Sequence, residues 1–323
     1  MFRTVGLFVA AAFISGISLL SVASRAQPAK PEVGEIQVGI LPISAHVPIF
    51  AAQELGYFAE GGLKVTIQFS GGGAELVPLL IQGQMQIAHV PVSAVLQARE
   101  RNLDVVMIGP GTYVEKSQPP GQTATIVKAD SKIERLSDLA GKKIAVPVIN
   151  SVNWLYNRAQ LQKAGVDPKT VTYVELPFPN MLDAVLNGYV DAASIVQPFL
   201  YFGTSTGKVR VLGYDILDVQ PGAQVAGFTV SRKWALSNPR TLAVFQHAVA
   251  RAVDYLTAND AEAVKIITKF TKTKPEVIAG TGLPSWSNEL SAEKIEVQMR
   301  LAAQQGLLQR PQDVRQLIWS DAR

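Results

Sequence analysis

Strand-like and helix-like segments alternate along this chain, and the alternation runs twice in the same order. In the first run, EIQVGIL (35–41), KVTIQF (64–69), MQIAHV (85–90) and DVVMIG (104–109) read as strands. IFAAQELGYFAEG (49–61), GAELVPLLIQG (73–83) and VSAVLQARERN (92–102) read as the intervening helices. In the second run, KKIAVPV (142–148), TVTYVEL (170–176), VDAASIV (190–196) and KVRVLGYD (208–215) are strands. NWLYNRAQLQKAG (153–165) and NMLDAVLNG (180–188) are helices. Such alternation predicts parallel sheets with right-handed crossovers. A shift of 105 residues lays Pro42 on Pro147, Gly83 on Gly188, Ala88 on Ala193 and Val106 on Val211. Residue identity over the window is at chance level, so the order of elements and breakers carries the repeat. The expected fold class is α/β, with two similar doubly wound lobes joined by two crossings and a helical C-terminal tail. Residues 33–115 with 225–323 would form one lobe and 120–224 the other. The tail opens at Asn238-Pro239, an N-cap followed by proline at the first helical position. It continues through AEAVKIITKF, SAEKIEVQMRLAAQQGLL and PQDVRQLIW, and is expected to pack on the first lobe.

Residues 1–26 read as a cleavable secretory signal. Arg3 supplies the positive start, no charge occurs from Val5 to Val22, and Ser24-Arg25-Ala26 offers small residues for cleavage after Ala26. An uncleaved anchor is the alternative, because about 18 apolar residues can just span a bilayer. The chain contains no cysteine, which excludes a disulfide framework, a thiolate metal site and a lipid-accepting cysteine. A soluble periplasmic protein fits best. Loss of Arg3 and Arg25 would lower the net charge from +4 to +2, and no basic run interleaves with aromatics, so nucleic acid is not an expected partner. About 297 mature residues exceed one ordinary core, again favouring two lobes.

Gly71-Gly72-Gly73 stands between a strand and a helix, followed by Ala74-Glu75-Leu76. A P-loop would need Gly-Lys-Ser/Thr there, and the dinucleotide fingerprint is also unmet. A tight turn is one reading. The other is a loop exposing backbone N–H groups at a helix start to a ligand. Ligands in doubly wound sheets bind beyond the carboxyl ends of the strands. The loops there contain PISAHVP, SGGGAE, AHVPVS and GPGTYVEK in the first lobe, and PVINSVNW, LPFPNML, SIVQPF and GYDILDVQ in the second. The candidate ligand contacts are Ser44, His46, Gly72, Gly73, Ala74, His89, Ser93, Asn150, Ser151, Asn153, Trp154, Phe178 and Gln197, with Trp154 and Phe178 as aromatic walls. Core packing is the alternative for Trp154. His247 falls inside a helix and reads as structural. The loops' charges are Glu75, Glu115, Lys116, Asp215 and Asp218, all but Glu75 in the crossings. No arginine in these loops is available to pair with a ligand anion, and no carboxylate is placed to hold an ammonium. That leaves backbone N–H groups at helix starts and polar side chains, so a small anion or weakly polar molecule is expected and cations are not. No Gly-x-Ser-x-Gly elbow or His-Glu-x-x-His motif occurs, and no catalytic residue, metal or cofactor is expected.

PIFAAQELGYFAEGGLKVTI, SGGGAELVPLLIQGQMQIAHV, IERLSDLAGKKIAV and LNGYVDAASIVQPF resemble the substrate-binding proteins of nitrate/sulfonate/taurine-type ABC importers. The related fold of thiamine-pyrimidine precursor proteins belongs to the same group. The resemblance runs from about residue 36 to 235 and implies a periplasmic, two-lobed, type II binding protein that delivers a small-molecule solute to a membrane permease. Relatives often carry Glu-Pro where this chain has Gln197-Pro198, which weighs against an amine-bearing ligand. The cysteine motif of the pyrimidine-synthesising enzymes is absent. A monomer is expected, whose short crossings and few contacts between lobes would allow closure on the solute. A secreted enzyme of the same fold and a sensory ligand-binding subunit are the alternatives.

Overall fold

The computed structural model describes residues 30–41, 43–70, 75–113, 122–310 and 312–320. The expected signal segment lies outside them. Two sheets organise the chain. The first contains β1 (Glu35–Ile40), β2 (Lys64–Phe69), β3 (Ile87–Pro91), β4 (Val105–Tyr113), β10 (Gln224–Ser231) and β11 (Ser285–Ser287). The second contains β5 (Thr123–Lys128), β6 (Lys143–Val146), β7 (Thr172–Glu175), β8 (Ala192–Val196) and β9 (Val209–Gly213). Their spatial orders are β11-β4-β10-β3-β1-β2 and β7-β6-β8-β5-β9. Read from the β4 and β9 ends and leaving out β11, the two follow one plan. The parallel register confirms it: Val38 pairs with Ile87 in the first sheet, and Ile144 with Ala192 in the second.

Both sheets are mixed, which corrects the expectation of purely parallel ones. β10 runs antiparallel to β3 and β4, and β5 antiparallel to β8 and β9. The cause is where the chain crosses. β4 and β9 end at the carboxyl side of their sheets, so the next strand enters the other sheet from that side and must run backwards. Neither β5 nor the full β10 was expected, because their sequences fall in or beside the crossings.

The helices cover both sheet faces. In the first half, α1 (Val47–Glu54), α2 (Tyr57–Glu60), α8 (Arg232–Ser237), α9 (Pro239–Ala258), α10 (Asp260–Thr271) and α11 (Pro275–Thr281) gather around one core. Val38, Ile49, Phe58 and Phe245 lie in it. On the opposite face, α3 (Leu76–Ile81), α4 (Val92–Glu100) and α12 (Ala292–Gln304) pack around Leu80, Val95 and Met107. The second half carries α5 (Val152–Lys163), α6 (Phe178–Leu186) and α7 (Phe199–Thr204). Burying apolar surface on both faces explains why its strands β5 and β8 are continuous apolar or small-residue runs.

Asn238 is the N-cap of α9 and Pro239 opens the helix, but the asparagine side chain makes no capping bond. Glu32 does that work instead. Its carboxylate accepts from the backbone N–H groups of Arg240 at 3.0 Å and Thr241 at 2.7 Å. Burial pushes Glu32 upward, but the bonds from Thr241 and Arg240 outweigh it and hold its carboxyl down to about 2. The expected helix over PQDVRQLIW is one 3-10 turn, Val314–Leu317, after which Trp319 N–H donates to Met107 O at 2.7 Å.

The C-terminal segment joins both halves, contrary to the expectation that few contacts would link them. α12 packs on α4 and α5, and Trp154 and Leu155 of α5 share a core with Ile295 and Met299 of α12. Tyr156 Oη donates to Gln220 Oε1 at 2.6 Å, and Gln298 Nε2 donates to Tyr156 Oη at 3.2 Å. Amphipathic periodicity marks α12 as half-buried without saying that two partners share its buried face. A second, thinner contact lies at Gly280 of α11. A Cβ there would come within 2.0 Å of the Tyr201 ring of α7, so the close approach depends on glycine.

Candidate functional site

A cavity of about 190 Å³ lies where the carboxyl ends of both sets of parallel strands face each other. The first half contributes Leu41 after β1, the turn Ser44–His46, and His89 and Pro91 of β3. The second half contributes Thr123 of β5, Val152 and Asn153 of α5, Phe178 of α6, Val196 at the end of β8, and Gln197 and Pro198 just after it. Among the described residues lining it there is no Asp, Glu, Lys or Arg. Its volume falls below the roughly 300–1,000 Å³ of drug-sized ligand pockets, so it suits a small solute. A larger groove of about 980 Å³ runs along β2 between Phe50, Phe69 and Lys269, but it lies open on the outside of the first half.

Six expected contacts line this cavity: Ser44, His46, His89, Asn153, Phe178 and Gln197. Gly72, Gly73 and Ala74 lie outside the described residues. Four others stand elsewhere. Ser93 is buried in the first turn of α4, where its carbonyl accepts from Gln97 Nε2 at 3.2 Å. The carbonyl of Asn150 accepts from the same amide at 3.2 Å, linking the halves. Ser151 caps α5, its Oγ accepting from Trp154 N at 3.3 Å. Trp154 is a core residue, with Arg158 4.6 Å above its ring and Tyr173 beside it. Gln197 Oε1 accepts from Tyr201 N at 3.0 Å and so caps α7 while its residue lines the cavity. Sequence reasoning missed Thr273, Thr281, Gly282 and Pro284, which come from around α11. The tail was expected only to pack on the first lobe, and no local pattern marks these residues.

The two histidines form a pair. Their ring centroids lie 4.2 Å apart, and both residues are buried. His46 Nδ1 lies 2.9 Å from Leu41 N and 2.8 Å from Leu41 O. His89 meets Phe228 edge-on with centroids 5.0 Å apart. Burial pushes the His46 imidazole down to about 4, against the opposing pull of the Leu41 carbonyl. Burial, with His46 adding to it, holds His89 well below its ordinary value.

Behind the opposite wall is a chain of side-chain hydrogen bonds that ends on Asp215, which is wholly buried. Tyr173 Oη donates to Asn157 Oδ1 at 2.7 Å, and Asn157 Nδ2 donates to Thr125 Oγ1 at 2.8 Å. Thr125 and Ser194 hydroxyls each donate to one Asp215 oxygen, and Asn153 Nδ2 donates to Ser194 Oγ at 3.1 Å. Asn153 therefore connects the cavity to a buried acid. Burial pushes the Asp215 carboxyl up to about 7, although the Ser194 and Thr125 bonds oppose this. The sequence placed Asp215 in a crossing as an ordinary loop charge; the structure places it in the core. Among the described residues no group of three or more His, Cys, Asp or Glu could hold a metal.

Two α/β halves meeting at a cavity beyond their strand ends define a periplasmic-binding-protein fold. The alkanesulfonate-binding protein SsuA from Xanthomonas axonopodis pv. citri, bound to MOPS, superposes with a TM-score of 0.74 at 22% identity, covering 89% of this chain and 99% of that one. The NMT1/THI5-like family matches residues 43–263, and the chain belongs to that family. Its fold is the one shared by solved nitrate- and sulfonate-binding proteins. The taurine-binding periplasmic protein of Escherichia coli (strain K12) is 28% identical over 214 residues, which cover 66% of this chain and 64% of that protein, a little under two thirds of its length. One relative carries an enzyme's name: the 4-amino-5-hydroxymethyl-2-methylpyrimidine phosphate synthase of Aspergillus parasiticus is 23% identical over 247 residues, 73% of this chain and 68% of that one.

Proposed function

We propose that this protein is exported to the periplasm behind a cleaved N-terminal signal, captures a small anionic or weakly polar organic solute, and delivers it unchanged to the membrane permease of an ABC importer. It acts as a monomer without a cofactor. The observation that carries this reading is the cavity itself: both halves wall it, it lies beyond the strand ends, and no charged side chain lines it among the described residues. Sulfonate- and taurine-binding relatives support the solute class. Ser44, His46, His89, Asn153, Phe178 and Gln197 hold the solute from opposite sides. The two half-domains, 33–115 with 225–323 and 120–224, supply one wall each.

Mass spectrometry of small molecules released from the purified protein tests the reading directly. An intact sulfonate, carboxylate or neutral heterocycle is the expected result. The same compound should raise the melting temperature, since ligand at about a hundred times its Kd adds roughly 2.7 kcal/mol. Selective stabilisation by amines, or conversion of the bound compound during incubation, overturns the reading.

A further inference from the structure

We propose that His46 and His89 act together as a one-proton anion receptor: an acidic solute enters the cavity with uptake of a single proton by the pair. The inference rests on the receptor reading above and names how that site balances charge. The described lining residues hold no fixed positive charge. An anion buried there without a counter-charge or full hydrogen bonding would be strongly disfavoured.

The Leu41 peptide makes His46 suited to the role. It presents both an N–H and a C=O to Nδ1, at 2.9 and 2.8 Å. In the neutral ring, Nδ1 accepts from the Leu41 N–H and Nε2 carries the hydrogen. In the imidazolium, Nδ1–H donates to the Leu41 carbonyl and Nε2–H remains a donor. Nδ1 therefore has a partner in either state. With ring centroids 4.2 Å apart, a second proton on His89 would be repelled, which limits the pair to one.

The surroundings leave the pair few rivals. β3, β10 and β11 carry no charged residue. Glu35 of β1 pairs with Lys64, Glu54 of α1 with Lys269, and Arg99 of α4 with Asp104. Glu100 of α4 accepts from the backbone of Gln309 and Arg310, while Lys274 and Glu276 beside and on α11 are exposed. Across the cavity, Asp215 lies behind Asn153 and Ser194 and is, among the described residues, the one buried acid whose proton uptake an incoming anion could also favour.

The test uses methanesulfonate, which stays ionised throughout the range, and its neutral near-isostere dimethyl sulfone. Histidine ring signals are followed by NMR in the full mature chain between pH 5 and 8. Without ligand, His46 and His89 should keep neutral-ring shifts across that range. With methanesulfonate bound, one of them should move to the imidazolium position. Methanesulfonate affinity should rise by up to tenfold for each unit of falling pH, while dimethyl sulfone affinity stays flat. His46→Gln should abolish the pH dependence, whereas His89→Gln, which removes only the repelling ring, should leave it in place, and the wild-type signals decide the matter even where a variant fails to fold. Rings that stay neutral with anion bound overturn the proposal, as does a pH-independent affinity or a pH dependence that vanishes in Asp215→Asn instead. If dimethyl sulfone moves the Asn153 and Phe178 signals but methanesulfonate does not, the proposal alone falls. If neither compound moves them at any pH, the receptor reading falls as well.

Discussion

The third residue of β3 is His89, and the third residue of β8, at the same place in the repeat, is Ser194. Both are buried, and each has a polar partner from a neighbouring segment. In the first half that partner is His46, which the 105-residue shift aligns with Ser151. In the second half it is Asp215, which the shift aligns with Pro110. One sheet plan thus places a pair of bases in one wall of the cavity and an acid behind the other. The difference teaches that the repeat fixes where a buried polar side chain points, while the individual residue fixes which charge state burial disfavours. Burial keeps the histidines neutral by opposing protonation, and keeps Asp215 neutral by favouring it.

Deleting the acid is the harshest way to break this symmetry. Asp215→Ala leaves the Thr125 and Ser194 hydroxyls without their acceptor and opens a void in a fully buried site. Urea unfolding at pH 5 should show a loss of about 2–4 kcal/mol. A loss under about 1 kcal/mol would show that the network is incidental to stability.

The pH profiles separate the walls by sign. His46 has a folded value of about 4 against 6.5 in the open chain, so the unfolded state binds more protons between them. Stability from this group is present above pH 6.5 and is lost as pH falls towards 4, by roughly 2–3 kcal/mol in all. His46→Gln should therefore keep more of its neutral-pH stability at pH 4.5 than the wild type does. Asp215 is the mirror case, with a folded value of about 7 against 3.8. Here the native state binds more protons, so stability is lost as pH rises from 4 to 7. Asp215→Asn should remove that decline, worth roughly 2 kcal/mol between pH 5 and 7. The two slopes oppose each other in the wild type, and unfolding series on the two variants should diverge in opposite directions. Parallel profiles would refute the assignment.

Ser151 gives the smallest expected effect. As the cap of α5 it supports the helix that presents Asn153, whereas His46, its counterpart in the repeat, reaches into the cavity. Ser151→Ala should cost about 1 kcal/mol in thermal or urea unfolding without removing a ligand contact. A loss of solute binding larger than the loss of stability explains would move Ser151 into the site.

Much of this was legible in the sequence because strand and helix periods are local. The repeat, the strand-end loops and both cavity histidines followed from them. The antiparallel strands were not legible: TATIVK looks like any buried strand, and only the crossing decides its direction. β11 is three residues long and has no period to read. Asp215 read only as a charge in a crossing, because a loop position says nothing about the Thr125 and Ser194 hydroxyls that surround it. Thr281, Gly282 and Pro284 reach the cavity only because the C-terminal tail folds back to it at α11. Trp154 fits a core or a cleft equally well until its neighbours are known.

The bare backbone at Gly280 has a mechanical consequence. On the α12 side the halves share apolar packing and a relay of amides, so parting there would expose a large surface to water. At Gly280 they meet over one aromatic edge and a stretch of main chain, right beside Thr281 and Gly282 of the cavity lining. Little wetting penalty resists separation on that side. If the cavity holds the proposed solute, that side is where the halves should part with least resistance, at the Tyr201 ring over Gly280.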